Sequence, residues 1–187
     1  MNTFNTTSGP AEPGAMPPTQ SERFGTLAWH IAKHASPGER AALARLRPES
    51  LRPHQISALA NALLATGMEP DQWKPETWRR WALIAHGMAL AGHDGTRRLG
   101  TQLAKAGVSE SRVTKLLTSR GDAFVQNLPQ ILRLLASKSV QPNWRELGAL
   151  VLTQDHADLE KRERAEAARL AIAGAYFAEI ARPLPQH

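Results

Sequence analysis

The spacing of apolar residues constrains the fold of this chain most. Along its 187 residues they recur three or four positions apart, as on one side of a helix, and no segment alternates apolar and polar residues as a strand does. Phe24, Leu27 and Ile31 are the first such set. Ala and Leu dominate the composition whereas Tyr occurs once, which favours helix over sheet. The sequence therefore predicts an all-α protein.

Capping residues and helix breakers set the predicted helix limits. Ser36 with Glu39, and Asn143 with Glu146, have the spacing of capping boxes, and each pair opens a helix. Pro129 predicts a kink or a restart, because proline cannot donate the helical hydrogen bond. The predicted helices cover about residues 21–34, 37–46, 54–66, 75–91, 97–106, 110–119, 144–153 and 157–181, with one more around Pro129.

The same spacing predicts which side chains face the core, and tryptophans at helix starts are typical core anchors. Arg112, Lys115 and Ser119 share an adjoining face of their helix, Arg133 faces solvent, and Arg120–Asp122 is predicted to be a turn. The predicted core residues are Val113, Leu116, Leu117, Ile131, Leu132, Leu135, Leu170, Ala173, Phe177 and Ile180, with Trp73, Trp78, Trp81 and Trp144.

Two glycines, Gly92 and Gly95, mark the best internal boundary. The sequence predicts two small helical bundles, residues 21–91 and 97–187, joined by a short loop. Residues 1–20 contain four prolines and no Lys or Arg, which predicts a disordered extension and neither a secretory signal nor a transit peptide. No apolar run approaches the roughly 18 residues of a membrane span, and the absence of cysteine fits a cytoplasmic location.

Charge indicates the kind of partner. The net charge is +6 and the isoelectric point is near 10.3, which is typical of a domain that meets a polyanion. Between residues 97 and 138 eight basic residues stand against two acids, so this stretch alone carries +6. The basic residues are Arg97, Arg98, Lys105, Arg112, Lys115, Arg120, Arg133 and Lys138, and the acids are Glu110 and Asp122. The clustering favours nucleic acid over a generally basic surface.

Catalytic and metal sites are not predicted. His30 and His34 are four residues apart, but the residue after the first is Ile31 where a zinc protease has its glutamate. Cysteine is absent and no carboxylate cluster completes a site. The sequence also has no nucleophile elbow, no paired-carboxylate nuclease pattern and no dinucleotide fingerprint. We predict no enzyme activity, no cofactor and no metal.

Two polar segments have alternative interpretations. The loop from Gly92 to Thr96 lacks the Lys-Ser/Thr pair and the preceding strand of a phosphate-binding loop. It is predicted to be a flexible connection, and a contact with nucleic-acid backbone alongside Arg97 and Arg98 stays open. The Lys161–Arg164 segment is either a nucleic-acid contact or a solvated face, with Glu160–Arg164 and Arg162–Glu166 ion pairs.

Several of these segments, in this order, resemble the CasB family, the small subunit of the type I-E CRISPR surveillance complex Cascade. The resemblance runs from about Leu27 to Phe177. Its motifs are Leu99-Gly100-x-x-Leu103-Ala104-x-x-Gly107, Glu110-Ser111-Arg112-Val113, Ile131-Leu132-Arg133-Leu134-Leu135-Ala136, Asn143-Trp144 and Lys161-Arg162-Glu163-Arg164.

The resemblance implies two helical bundles without catalytic activity. It also implies two copies arranged head to tail along the Cas7-type backbone subunits, near the large subunit. There the family contacts guide RNA, target DNA and the displaced strand. Carried over by position, its basic contacts are Arg45, Arg112, Arg133, Lys161 and Arg162, although Ala44 stands where many members have a second arginine.

The sequence thus predicts a Cascade small subunit that binds nucleic-acid backbone and stabilises the R-loop. The alternative is a helical protein-interaction module whose basic face meets an acidic partner. The predicted nucleic-acid-binding residues are Arg45, Arg97, Arg98, Arg112, Lys115, Arg133, Lys161 and Arg162.

Overall fold

The structure is a computed structural model that describes residues 19–182, and this part of the chain is all helical. The predicted all-α class is therefore confirmed; the disordered extension predicted for residues 1–20 lies almost wholly outside the described residues. A short 3₁₀ helix, Pro70–Gln72, precedes α4. The α-helices are α1 (Gln20–Lys33), α2 (Pro37–Ala44), α3 (Pro53–Leu64), α4 (Pro75–Ala91), α5 (Leu99–Lys105), α6 (Glu110–Thr118), α7 (Gly121–Ser137), α8 (Trp144–Thr153) and α9 (Leu159–Ile180).

One of the two predicted capping boxes is present. The Ser36 amide donates to the Glu39 carboxylate at 2.9 Å, and the Glu39 amide donates back to the Ser36 hydroxyl at 3.2 Å. The second prediction is wrong. Asn143 accepts from the Arg145 amide, but the Glu146 carboxylate accepts from the Leu99 amide at 3.0 Å. Glu146 therefore joins the start of α5 to α8, through a partner distant in sequence.

A kink or a restart was predicted at Pro129, and the restart is wrong, because α7 is one continuous helix. Proline leaves the Val125 carbonyl without its helical donor. Val125 and Pro129 both line a surface groove, where water can reach that carbonyl. The adjoining side of α7 is fixed by burial, since Phe124, Leu128 and Leu132 are fully enclosed. The predicted turn is wrong in part: Arg120 is the N-cap residue, and Gly121 already begins the helix.

The core is continuous across the loop that joins α4 to α5. α1 packs against α4 and α8, and α4 packs against α7. Trp144 of α8 lies against Gly87 of α4, and Phe24 of α1 lies against Gly148 of α8. The predicted tryptophan anchors are confirmed: Trp81 and Trp144 are buried and Trp73 and Trp78 pack against the core. The division into bundles 21–91 and 97–187 stays a prediction.

Helix α9 buries a different face from the predicted one, and of the four residues predicted inside only Ala173 packs against the core. Leu170, Phe177 and Ile180 were expected inside, but 74%, 44% and 54% of their surfaces are exposed. The buried residues are Ala165, Arg169, Ile172, Ala175 and Tyr176. The reason is the close approach of α5, whose Gly100 lies against the Ile172 carbonyl and Ala175. The distance is possible because Gly100 has no side chain. None of the described helices is long and apolar enough to cross a bilayer.

Candidate nucleic-acid interface

Helices α6 and α7 present basic side chains on faces that are not buried. Val113, Leu116 and Leu117 are buried in α6, so Arg112 and Lys115 are exposed. In α7 the predicted arrangement is likewise confirmed, because Ile131, Leu132 and Leu135 are buried and Arg133 is exposed. The helical period alone thus directs these three cations outward.

Arg112 and Lys115 line a groove of about 250 Å³ between α6 and α7, which we call the α6–α7 groove. Asn127 and Gln130 of α7 form its opposite side. The Asn127 amide donates to the Ser119 hydroxyl at 2.8 Å, which ties α7 to the end of α6. The groove combines two cations with two neutral amides, a set that can hold phosphate and sugar oxygens.

A larger groove of about 740 Å³ lies between the end of α2 and the outer face of α7, and we call it the α2–α7 groove. Arg45 and Arg47 line one side, and Arg133, Gln126 and Gln130 of α7 line the other. The structure therefore brings Arg45 and Arg133 to one groove, although 88 positions separate them in sequence.

The segment that carries Arg45 and Arg47 is held by hydrogen bonds to buried side chains. The Arg45 carbonyl accepts from the buried Gln55 side chain at 3.0 Å. His86 of α4 is bonded to the Leu43 carbonyl at 3.2 Å and also lines the groove. Burial is the main cause that lowers the pKa of His86, and nearby Arg133 lowers it further. His86 is therefore neutral at pH 7, and the positive charge of the groove comes from arginine.

Gln130 lines both grooves, so the two adjoin along α7. We use the term basic tract for the five cations of these grooves. Within residues 19–182, none of the five is in an ion pair. They are Arg45, Arg47, Arg112, Lys115 and Arg133.

Arg97 and Arg98 lie apart from the basic tract. The Arg98 guanidinium donates to the Ala171 carbonyl of α9 at 3.0 Å, and the Arg97 carbonyl accepts from the Asn143 side chain at 2.8 Å. The preceding loop is also bonded, since the Trp144 indole donates to the Gly92 carbonyl at 2.9 Å. The segment predicted to be a flexible connection is thus tied to the start of α8 by several hydrogen bonds.

Lys161 and Arg162 form a third basic patch, in the first turn of α9 and outside both grooves. Both side chains are exposed. The predicted Glu160–Arg164 ion pair is present at 2.5 Å.

The predicted Arg162–Glu166 pair is replaced by two other contacts of Glu166. Its carboxylate accepts from Arg120 and from Arg169, both at 2.8 Å. Arg169 is buried and also reaches the Ser119 carbonyl at 3.4 Å. This network joins α9 to the α6–α7 junction and leaves Arg162 without an acidic partner within the described chain.

Arg47, Gln126 and Gln130 are among the groove residues that were not predicted. The glutamines had a usable signal, because positions 126, 130 and 133 share one helical face of α7. Arg47 had none, since Arg47-Pro48 indicated only the end of a helix. His30 and His34 stack with ring centroids 6.0 Å apart, and no cluster of three or more potential metal ligands occurs among the described residues.

Comparison with protein families gives a match. The sequence model of a family described as CRISPR-associated protein Cse2 matches residues 39–177, about three quarters of the chain. The matched region contains α3 to α8, most of α2 and α9, and every residue of the basic tract. No curated protein and no solved structure matches.

Proposed function

Since the chain belongs to the Cse2 family of CRISPR-associated proteins, a family of Cascade subunits, we propose that it binds nucleic-acid backbone in that complex and stabilises the R-loop. The observation that carries this proposal is the basic tract. Five cations without ion pairs in the described chain border two adjoining grooves. Unpaired cations in a groove attract phosphates and release their counterions, independently of sequence.

The contribution to R-loop stability follows from a small energetic difference. Replacing a DNA duplex by a guide–target heteroduplex is a nearly balanced exchange in Cas9-type systems, so modest contacts to backbone or to the displaced strand shift it. The same reasoning applies to any guide-directed opening of DNA. In this proposal the protein holds guide RNA, target DNA or the displaced strand by its phosphates, and base pairing alone selects sequence.

The other predicted basic residues form separate contact patches in the proposal. Arg98 is anchored on α9, and Lys161 and Arg162 project from its first turn. Each patch has fewer cations than the basic tract, so each contributes less. The Cse2 family is a family of non-catalytic Cascade subunits, and the proposed role is accordingly structural, not enzymatic.

Assembly with other proteins is also part of the proposal. The partners are Cas7-type backbone subunits, the large subunit and a second copy of this chain, in the cytoplasm. The exposed side chains of Leu170, Phe177 and Ile180 on α9 support a protein contact, because contiguous exposed apolar side chains mark interaction surfaces.

Charge reversal within the basic tract tests the proposal. In reconstituted complex, Arg112→Glu combined with Arg133→Glu should weaken strand binding and shorten R-loop lifetime. Lys33→Glu combined with Arg52→Glu is the matched control, since both side chains are exposed and lie outside the grooves. Unchanged R-loop lifetime in the basic-tract variant would refute the proposal.

Nuclease treatment separates the alternative, in which the basic tract meets an acidic protein. If that alternative holds, a complex purified through this chain survives the treatment and contains no RNA. The proposed function instead requires a guide-length RNA to copurify.

A further inference from the structure

The α2–α7 groove contains two carboxylates besides its arginines. Glu49 lies in the turn after α2, and Asp122 lies in the first turn of α7. Both are exposed and both line the groove. Within residues 19–182 neither is in an ion pair, so they are not the counterions of the groove arginines.

The same two carboxylates also line the next groove. This third groove, of about 450 Å³, lies between α4, α7 and α8 and shares Pro48, Glu49, Asp122 and Val125 with the α2–α7 groove. Glu49 and Asp122 therefore stand where one groove passes into the other. Their position is a boundary between two surfaces of different charge.

Beyond this boundary the surface is no longer basic. The third groove has Glu76 and Asp155 against Arg79 and Arg80, so with the two boundary acids its formal charge is −2. The Arg80 guanidinium already donates to the Leu152 carbonyl at 2.7 Å. On the other side of the boundary, Arg45, Arg47 and Arg133 face the α2–α7 groove.

We propose that Glu49 and Asp122 end the path of the bound strand and thereby set the length of nucleic acid that one copy holds. The inference rests on the proposed function. A strand that follows the basic tract from Lys115 to Arg47 meets two carboxylates at the end of the α2–α7 groove. Their repulsion is local, since screening at physiological salt limits it to about 8 Å, so it acts only on phosphates that pass the boundary.

The experiment measures affinity against strand length. Full-length protein is titrated into labelled single-stranded oligothymidylates of increasing length, at an ionic strength of about 0.15 M, where the repulsion is limited to about 8 Å. For the unmodified protein, affinity should stop rising at a short length. For Glu49→Gln combined with Asp122→Asn it should continue to rise, and the longest strand should bind about fivefold more tightly, the factor for one charge contact in water.

The control makes the same two types of substitution, Glu to Gln and Asp to Asn, at positions outside the grooves. Glu69→Gln combined with Asp71→Asn removes two exposed acids that line none of these grooves. It should leave the length dependence unchanged. Glu49 lies outside any helix, and Glu49→Gln alone should give part of the effect. This single variant keeps the test usable if Asp122→Asn disturbs the start of α7.

The outcomes separate this inference from the proposed function. In one outcome, Arg112→Glu combined with Arg133→Glu loses binding, and the affinity of the boundary variants stops rising at the same strand length as that of the unmodified protein. The boundary inference is then wrong and the proposed function stands. A gain in the control equal to that of the boundary variants also overturns the inference, because the effect is then one of net charge. If the basic-tract variant binds like the unmodified protein, the proposed function itself fails.

Discussion

Nδ1 of His86 donates a hydrogen bond to the carbonyl oxygen of Leu43, 3.2 Å away, and so joins α4 to the last turn of α2. A carbonyl only accepts, so Nδ1 carries the proton of the neutral ring. The bond holds the end of α2 in place, two residues before Arg45. The shape of the α2–α7 groove therefore depends on a buried, uncharged histidine.

Because His86 is buried and uncharged, we expect the protein to be less stable in mild acid. Burial keeps the pKa of His86 below its ordinary value of 6.5, against the opposing effect of the Leu43 hydrogen bond, and burial lowers the pKa of His93 in the same direction. Below about pH 6.5 the unfolded chain takes up protons that the folded chain does not. The free energy of unfolding therefore decreases as pH falls through that range.

Thermal unfolding at pH 7.5 and pH 5.5 measures this effect. We expect a lower Tm at the acidic pH for the unmodified protein. His86→Gln retains a side-chain donor but does not titrate, so it should show a smaller difference, with the remainder from His93. An equal difference in both proteins would contradict the assignment to His86.

Two glycine substitutions should have opposite effects on stability, because one glycine is closely packed and the other has open space around it. A Cβ at Gly87 would overlap the Trp144 ring and Leu132 in the core, so Gly87→Ala should destabilise the protein by about 1–3 kcal/mol. Gly174 lies inside α9 with open space around it. Gly174→Ala should stabilise by about 0.5–1 kcal/mol, because alanine loses less backbone entropy. Urea unfolding measures both, and a neutral Gly87→Ala would show that the α4–α8 contact is looser than described.

Arg47 provides a test of the groove residues that the sequence did not predict. If it contacts a phosphate, Arg47→Gln should lower affinity equally for all sequences and reduce the salt slope of binding by about 1. Arg52→Gln removes the same charge five positions away, outside the grooves. It should leave the slope unchanged, and equal slopes for both variants would remove Arg47 from the interface.

The helices and the outward direction of Arg112, Lys115 and Arg133 could be predicted, because caps and helical period are local properties. That Arg45 and Arg133 lie in one groove could not be predicted from the sequence. It arises because α2 packs on α4 and α4 on α7, contacts that no sequence spacing specifies.

Helix α9 shows a second limit of sequence-based prediction. Its C-terminal half is apolar on nearly all sides, so periodicity does not select one face. The approach of Gly100 to the Ile172 carbonyl decides which side is buried. Leu170, Phe177 and Ile180 are left exposed.

The exposed face of α9 gives the last prediction. Leu170 and Phe177 lie seven positions apart on that face and are exposed in the isolated chain. Leu170→Gln combined with Phe177→Gln should change the free energy of unfolding by no more than about 0.5 kcal/mol, because surface substitutions rarely do more. If this face contacts another Cascade subunit, the same variant should be depleted from the assembled complex.

Quantitative copurification with the other subunits measures the depletion. The matched control is Ile56→Gln combined with Leu64→Gln, since both side chains are exposed and lie on α3, away from α9. Normal incorporation of the α9 variant, with unchanged melting, would show that Leu170 and Phe177 remain solvent-exposed in the complex. Depletion of the α9 variant alone would identify this face of α9 as an assembly surface, separate from the basic tract.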